Sequence, residues 1–425
     1  VRYFVKLILL TVFLFISFRS GLRTPIEFIT KYLEDILTIG LVLFMFFRIA
    51  FAISKKQPIS RFELMLTGMM IIPFWSALIA YIRFEQPLFY GLVAARNFYL
   101  YLGGALIYYL LIKKIIGLTD LKKAFLASAW ITLILFLIVY FTLDPAKYLD
   151  TPYIGYNELK GGYIFRFVIP LIVYAFLYYI IVFFNSGKSK FLFFLCAVPF
   201  FYMIVFVRQD RSIIVILLFV LLLYFFRKVF FRSALFYTGL TIIIASLTLL
   251  FVNLLEFKIP EETREKYINL WLTVTGKETE ESSTNVRRVQ VIKVWPDIEK
   301  HIFFGNGELY PKWKNGFARI YGYFYPTDIG LLGILYIFGL LGTLLIFIQY
   351  IYAARIVKSL KDDPYDNFKN ACIYFLLFVF LDSFTSGQTL FFPANSTLMI
   401  AILTYYAFQQ NQKPFTKPCM MFPSA

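Results

Sequence analysis

The chain has 425 residues, of which 60% are hydrophobic, 21% aromatic and only 16% charged, against roughly 45–50% apolar and about 25% charged in an ordinary soluble domain. Those proportions exclude a soluble globule, and 52 Phe and 31 Tyr also exclude a disordered, collagen-like or disulfide-stapled secreted chain. The formal net charge of +17 would ordinarily point to nucleic acid, but here the positions of the charges point elsewhere.

A helix crosses a bilayer with about 20 predominantly apolar residues. Read for that length, the chain offers twelve spans, near 3–18, 36–54, 63–83, 92–113, 124–143, 163–185, 190–207, 212–226, 233–255, 328–352, 369–386 and 393–409. The first, with Arg2 and Lys6 ahead of its apolar run, has the look of a signal peptide; no small-x-small cleavage site follows Phe18 and Arg19, so it is taken as a span. The loops after spans 2, 4, 6, 8 and 10 hold most of the basic residues, including Lys55, Lys56, Lys113, Lys114, Lys122, Lys123, Arg227, Lys228 and Lys358. The short loops of the other side hold fewer: Arg19, Arg23, Lys31, Arg83, Lys147, Lys160, Arg208 and Arg211. Cytoplasmic loops carry the Lys/Arg excess, so both termini are expected in the cytoplasm. Much of the positive charge then directs topology, and no nucleic-acid partner is expected.

The expected organisation is an all-α polytopic membrane protein: spans 1–9 over residues 1–255, an extracytoplasmic loop over 256–327, spans 10–12 over 328–410, and a polar cytoplasmic tail over 411–425. A loop as long as 256–327 usually carries function. It holds two helical patterns, one from Pro260 to Trp271 and one from about Thr284. In the second, Val286, Val289, Ile292, Trp295 and Ile298 recur at three-residue spacing and set an amphipathic helix against the membrane surface, with Pro296 kinking or ending it. Cys196, Cys372 and Cys419 form no CxxC pair, so neither a disulfide framework nor a zinc site is expected. One histidine, and no P-loop, GxSxG elbow or HExxH, leave nucleotide hydrolysis, serine-hydrolase and zinc-protease chemistry without support.

The arginines carry more. A charge at the centre of a transmembrane helix costs roughly 2.5–3.5 kcal/mol, so each one retained needs a reason. Arg96 and Arg166 are expected just inside spans 4 and 6, and Arg208 and Arg211 in the tight turn between spans 7 and 8. Each alone reads as a snorkelling side chain, as does Arg48 near the inner end of span 2. With Arg287 and Arg288 of the loop, six arginines share the outer face. A group of guanidinium forks suits a diphosphate, because each fork takes two anionic oxygens and stays charged.

Arg287-Arg288, then Trp295, then His301-Ile302-Phe303-Phe304-Gly305-Asn306-Gly307, then Asp328 and Phe338-Gly339-Leu340-Leu341-Gly342 resemble the signature region of the O-antigen ligase and Wzy-type polysaccharide polymerase superfamily. Arg208-Gln209-Asp210-Arg211-Ser212 is similar to that family's "SRG" segment, with Arg211 in the arginine place. The resemblance covers roughly residues 160–345. It implies a GT-C-like membrane fold and transfer of a glycan from undecaprenyl diphosphate at the outer face of a bacterial inner membrane. Two departures matter: Ile302 stands where the family often has proline, and Asp328 stands where ligases typically carry histidine, which favours the polymerase branch.

On this reading a hydroxyl of one lipid-linked repeat unit attacks the anomeric carbon of another and the lipid diphosphate leaves. Arg211 and Arg288 with Asp328 would be catalytic; Arg166, Arg287, Arg96, Arg208, His301 and Tyr325 would bind substrate; no metal or cofactor is needed, since the arginines neutralise the leaving group. Which of Arg287 and Arg288 is the family arginine stays open. Asp328 would orient or deprotonate the acceptor hydroxyl; as Pro326-Thr327-Asp328 precedes a long helix, it could instead be an N-cap. His301 reads as a turn residue or a catalyst, the many outer tyrosines as an interfacial belt or as sugar-stacking rings, and Gly330, Gly333, Gly339 and Gly342 as sites of close helix packing. Expected partners are undecaprenyl-diphosphate-linked glycans, membrane lipids and other polysaccharide-assembly proteins such as a flippase or chain-length regulator. An O-antigen ligase is the alternative, and a secondary transporter or lipid flippase the competing class.

Overall fold

The computed structural model describes residues 2–148, 153–157, 162–186, 190–229, 282–386 and 388–412. The expected span at 233–255, the helix from Pro260 to Trp271, the tail with Cys419, and the side chain of Arg211 lie outside what is described. The protein is a helical membrane protein. Among the described residues, six helices are long and apolar enough to cross a bilayer: Glu27–Ser54, Arg61–Phe84, Leu118–Thr142, Lys190–Arg208, Leu331–Ser359 and Asn367–Thr385. Shorter apolar helices run over Tyr3–Ser17, Pro170–Asn185 and Ser212–Arg227.

The N-terminal half comprises α1 (Arg2–Ser17), α2 (Glu27–Ser54), α3 (Arg61–Met69), α4 (Ile71–Phe84), α5 (Leu88–Ala95), α6 (Gly103–Ile112) and α7 (Leu118–Thr142). Helix α3 starts at a capping box in which Ser60 and Glu63 satisfy each other's backbone amides; α7 starts where the Asp120 carboxylate accepts from the Gly117 amide. The expected span at 92–113 is not one helix: residues Arg96–Leu102 form a 3-10 segment between α5 and α6, tightening the chain where its side chains are buried deep in the bundle.

Residues 163–185 also correct the expectation. A short antiparallel hairpin, β1 (Ile154–Asn157) with β2 (Gly162–Phe165), pairs Ile154 with Phe165 and Tyr156 with Tyr163, so the fold is not wholly α. Helix α8 begins only at Pro170, in the first-turn position that suits proline. Helices α9 (Lys190–Tyr202, continuing as a π segment to Arg208) and α10 (Arg211–Val229) follow. Then come α11 (Ser282–Lys300), α12 (Leu331–Ser359), α13 (Asn367–Thr385) and α14 (Ala394–Gln412). Helices α8 and α14 are buried almost all round, with Leu171–Val182 and Leu398–Leu403 shielded, as befits apolar helices in the middle of a bundle; α14 packs on α6, α12 and α13.

Helix α12 is broken at Gly339 (φ 63, ψ −173), about 12 Å below its first turn at 1.5 Å per residue. The segment 302–307 enters the break. Asn306 and Gly307 donate their amides to the Tyr336 and Ile337 carbonyls (2.7 and 2.9 Å), while Leu340 and Leu341 donate to those of Ile302 and Phe303 (2.7 and 3.2 Å). A Cβ on Gly305 would stand 2.5 Å from the Gly339 nitrogen, and one on Gly307 would stand 2.4 Å from the Ala80 nitrogen. Irregular backbone at membrane depth is tolerated only where its polar groups are satisfied by protein, and this interlock satisfies them. Gly305, Gly307 and Gly339, all with positive φ, serve that crossing, whereas Gly330 and Gly333 allow close backbone approach, a Cβ on Gly330 standing 2.6 Å from the Phe384 carbonyl oxygen of α13.

Candidate functional site

The side chains that gather at the Asp328 end of the bundle come from five places. Arg23 lies in the loop between α1 and α2, held with φ 58, and its backbone amide donates to Glu27 (2.8 Å). Arg166 follows the hairpin, its amide fixed to the Tyr153 carbonyl (2.9 Å) and its guanidinium laid over Gly155, where a Cβ would come within 2.9 Å of it. Arg208 ends the α9 helix before a left-handed Gln209. Arg287 is in the first turns of α11, and Asp328 sits in a 3-10 turn, Pro326–Ile329.

Their charges act on one another. Arg23 is within electrostatic reach of Arg208, Arg166 and Asp328; Asp328 is within reach of Arg287, Arg23 and Arg166; Arg208 is within reach of Asp210, Arg166, Asp382 and Arg287. Burial depresses the Arg23 guanidinium to about 10, and the neighbouring Arg208 and Arg166 charges press the same way. Burial raises the Asp328 carboxyl above its ordinary range, while Arg287, Arg23 and Arg166 pull it back. Of the four arginines, Arg23 and Arg208 are half-buried and Arg166 and Arg287 exposed. Tyr323 feels the same Asp328, Arg166 and Arg287 charges, and its ring meets that of Tyr325 edge to face at 5.1 Å. Tyr325 is 56% exposed.

The structure therefore brings together Arg166, Arg208, Arg287 and Asp328, and adds Arg23. Helical periodicity separates the two adjacent arginines: Arg287 lies on the face of α11 that Gln290, Val294 and Ile298 bury, whereas Arg288 lies on that of Ile292 and Trp295. The Arg287 charge reaches Asp328. The main chain of Arg211 opens α10 beside Asp210, whose carboxylate takes the Ser212 hydroxyl (2.7 Å) and pairs with Arg208 (3.3 Å).

Other expected site residues are engaged elsewhere. Arg96 binds Asp35 (2.6 Å) and the Val93 carbonyl (2.7 Å), and it starts the 3-10 segment instead of lying inside a helix. Arg166 precedes α8 and is not within a span. The main chain of His301 closes the turn into the interlock, with its carbonyl accepting from Gly305 (2.8 Å), and no described contact joins its ring to the arginines. Arg48 does not snorkel: it pairs with Glu63 at 2.9 Å, a carboxylate only 4% exposed, which needs a counter-charge at that depth. Asp328 is not the cap of α12. That position is Gly330, with no side-chain capping bond.

Helix α11 also differs from its expected form. It runs through Pro296 to Lys300, and its buried face is Gln290, Val294 and Ile298, leaving Val286, Val289, Ile292 and Trp295 40–60% exposed. Behind that face a polar chain links Arg83, Asp297, Tyr321 and Tyr336: Arg83 approaches Asp297 at 3.6 Å, the Tyr321 hydroxyl donates to Asp297, and the Tyr336 hydroxyl donates to that of Tyr321 at 3.0 Å. Among the described residues no group of three or more His, Cys, Asp or Glu converges as a metal would require. No protein-family model matches the chain, and no curated protein matches it.

Proposed function

We propose that the protein is a glycan polymerase that joins undecaprenyl-diphosphate-linked repeat units at the periplasmic face of a bacterial inner membrane, a metal-independent glycosyltransferase of the O-antigen polymerase type. The observation that carries this reading is the gathering of Arg23, Arg166, Arg208 and Arg287 around one carboxylate, Asp328. In the proposed topology twelve spans surround this site, the loop 256–327 covers it from outside, and both termini are cytoplasmic. The donor's diphosphate lies across the arginine forks, each of which offers paired donors to anionic oxygens. Asp328 faces the acceptor hydroxyl; a carboxyl raised by burial is a better base than a solvated one. As the hydroxyl oxygen bonds to the anomeric carbon, the bond to the lipid diphosphate breaks, and the arginines stabilise the charge that collects on the departing phosphate.

A transporter would place ionisable groups and open backbone near the bilayer midplane. Here the arginines belong to helix ends and loops, and the carbonyls freed by the break in α12 at Tyr336 and Ile337 are taken by Asn306 and Gly307, which favours the enzyme. The carboxylate at 328 favours polymerase over ligase. Purified protein supplied with lipid-linked repeat units should yield a ladder of products on a gel. A single shifted band on a different acceptor would mean a ligase, and no product would overturn the enzyme reading.

A further inference from the structure

Gln290 is 1% exposed and sits in α11 one turn beyond Arg287 and on the same face. Its Oε1 accepts the Tyr325 backbone amide at 3.1 Å, and the Tyr325 carbonyl in turn accepts the Asp328 amide at 2.9 Å. The amide orientation is fixed by chemistry, because only the oxygen can accept from an N–H. The Nε2 group is buried and has no partner among the described residues, an unsatisfied donor whose burial costs stability. An apolar side chain of equal size would pack there at no such cost. One buried side chain therefore joins the helix that carries Arg287 to the turn that carries Asp328, two elements far apart in sequence.

We propose that Gln290 is a positioning residue: it holds the Arg287 guanidinium and the Asp328 carboxylate at a fixed separation, and so sets the register of donor diphosphate and acceptor hydroxyl. The consequence for turnover rests on the polymerase reading; the brace itself does not. Gln290→Met keeps the volume and removes the acceptor, whereas Gln290→Glu keeps an acceptor for the Tyr325 amide.

Hydrogen exchange on the whole protein in detergent reads the brace directly. The Tyr325 and Asp328 amides should exchange at least tenfold faster in Gln290→Met, those of Asn306 and Gly307 in the interlock should not change, and Gln290→Glu should restore Tyr325. In the gel assay Gln290→Met should lower kcat about ten- to hundredfold, the scale of a small misplacement of reacting groups, with KM for the lipid-linked unit nearly unchanged and with partial rescue in Gln290→Glu. Unchanged Tyr325 exchange in Gln290→Met, or faster exchange with unaltered kcat, would overturn the proposal. Should Gln290→Met not fold, slow Tyr325 exchange in Gln290→Glu still supports the brace and fast exchange there overturns it. No ladder from the unaltered protein would remove the polymerase reading while the exchange data judge the brace.

Discussion

The two ends of the helical bundle treat charge differently. At the end opposite Asp328, three cations meet carboxylates in separate pairs: Lys6 with Asp120 at 2.6 Å, Arg48 with Glu63 at 2.9 Å and Arg227 with Asp362 at 2.8 Å. At the Asp328 end pairs form too, Arg19 with Glu34 at 3.2 Å, Arg96 with Asp35 at 2.6 Å and Arg208 with Asp210 at 3.3 Å, but there Arg208 also lies within electrostatic reach of Arg23, Arg166 and Arg287, and Asp328 within reach of Arg287, Arg23 and Arg166. A half-buried site that keeps like charges together is electrostatically unfavourable on its own. In the proposed site the donor diphosphate would complete it, and that is the contrast with the paired charges at the other end.

Substitutions at the two ends should separate these roles. Asp328→Asn is expected to slow polymerisation about 10²–10⁴-fold, the usual contribution of a positioned acid or base, with normal insertion and melting; because Gly330 caps α12, no helix cap is lost. Full polymer length from Asp328→Asn at equal expression would send the search for a base to Asp210. Arg166→Lys and Arg287→Lys should each cost about tenfold in turnover, since an ammonium cannot reproduce a planar bidentate contact, whereas Arg227→Lys at the other end should leave the chain-length distribution unchanged.

The same contrast has a pH signature. Arg287 holds the Asp328 pKa down against burial, so Arg287→Gln should move the acid limb of the pH–rate profile to higher pH; a limb that stays put would detach the two residues. Glu308, in the loop beyond the interlock, is a stability case without a catalytic one. Burial pushes its carboxyl from 4.5 up to about 7, so the folded protein binds the extra proton between those values and its stability falls as pH rises through them. Glu308→Gln should remove that dependence, a gain at pH 8 of at most about 3 kcal/mol by the linkage of pKa to free energy, seen as a higher melting temperature in detergent. Identical melting profiles for the two proteins at pH 5 and pH 8 would contradict the assignment.

How much of this was legible beforehand depended on which signal was local. Long apolar runs announced helices near their observed places, because hydropathy over 20 residues needs no tertiary partner. The break at Gly339, the 3-10 turn over Arg96–Leu102 and the hairpin before Arg166 were hidden for the opposite reason: Tyr, Ile and Phe read as membrane residues whether they form a span, a strand or a tight turn. The stripe of Val286, Val289, Ile292 and Trp295, expected against the membrane surface, gave no sign of the other face of α11, where Gln290 is buried against the 325–328 turn. In the proposed site, shared sidedness had named Arg166, Arg208, Arg287 and Asp328, which lie within electrostatic reach of one another. Arg23 was missed among loop charges, although a cation in a short loop on the side that disfavours basic residues was a usable signal.

The central claim, that the arginines at the Asp328 end form a diphosphate site, is tested most directly by measuring the affinity of undecaprenyl diphosphate for the purified protein and two variants. Arg287→Gln should weaken binding at least tenfold, and Arg227→Gln, which breaks a pair at the other end, should leave it unchanged. Equal affinity for all three proteins would contradict the account.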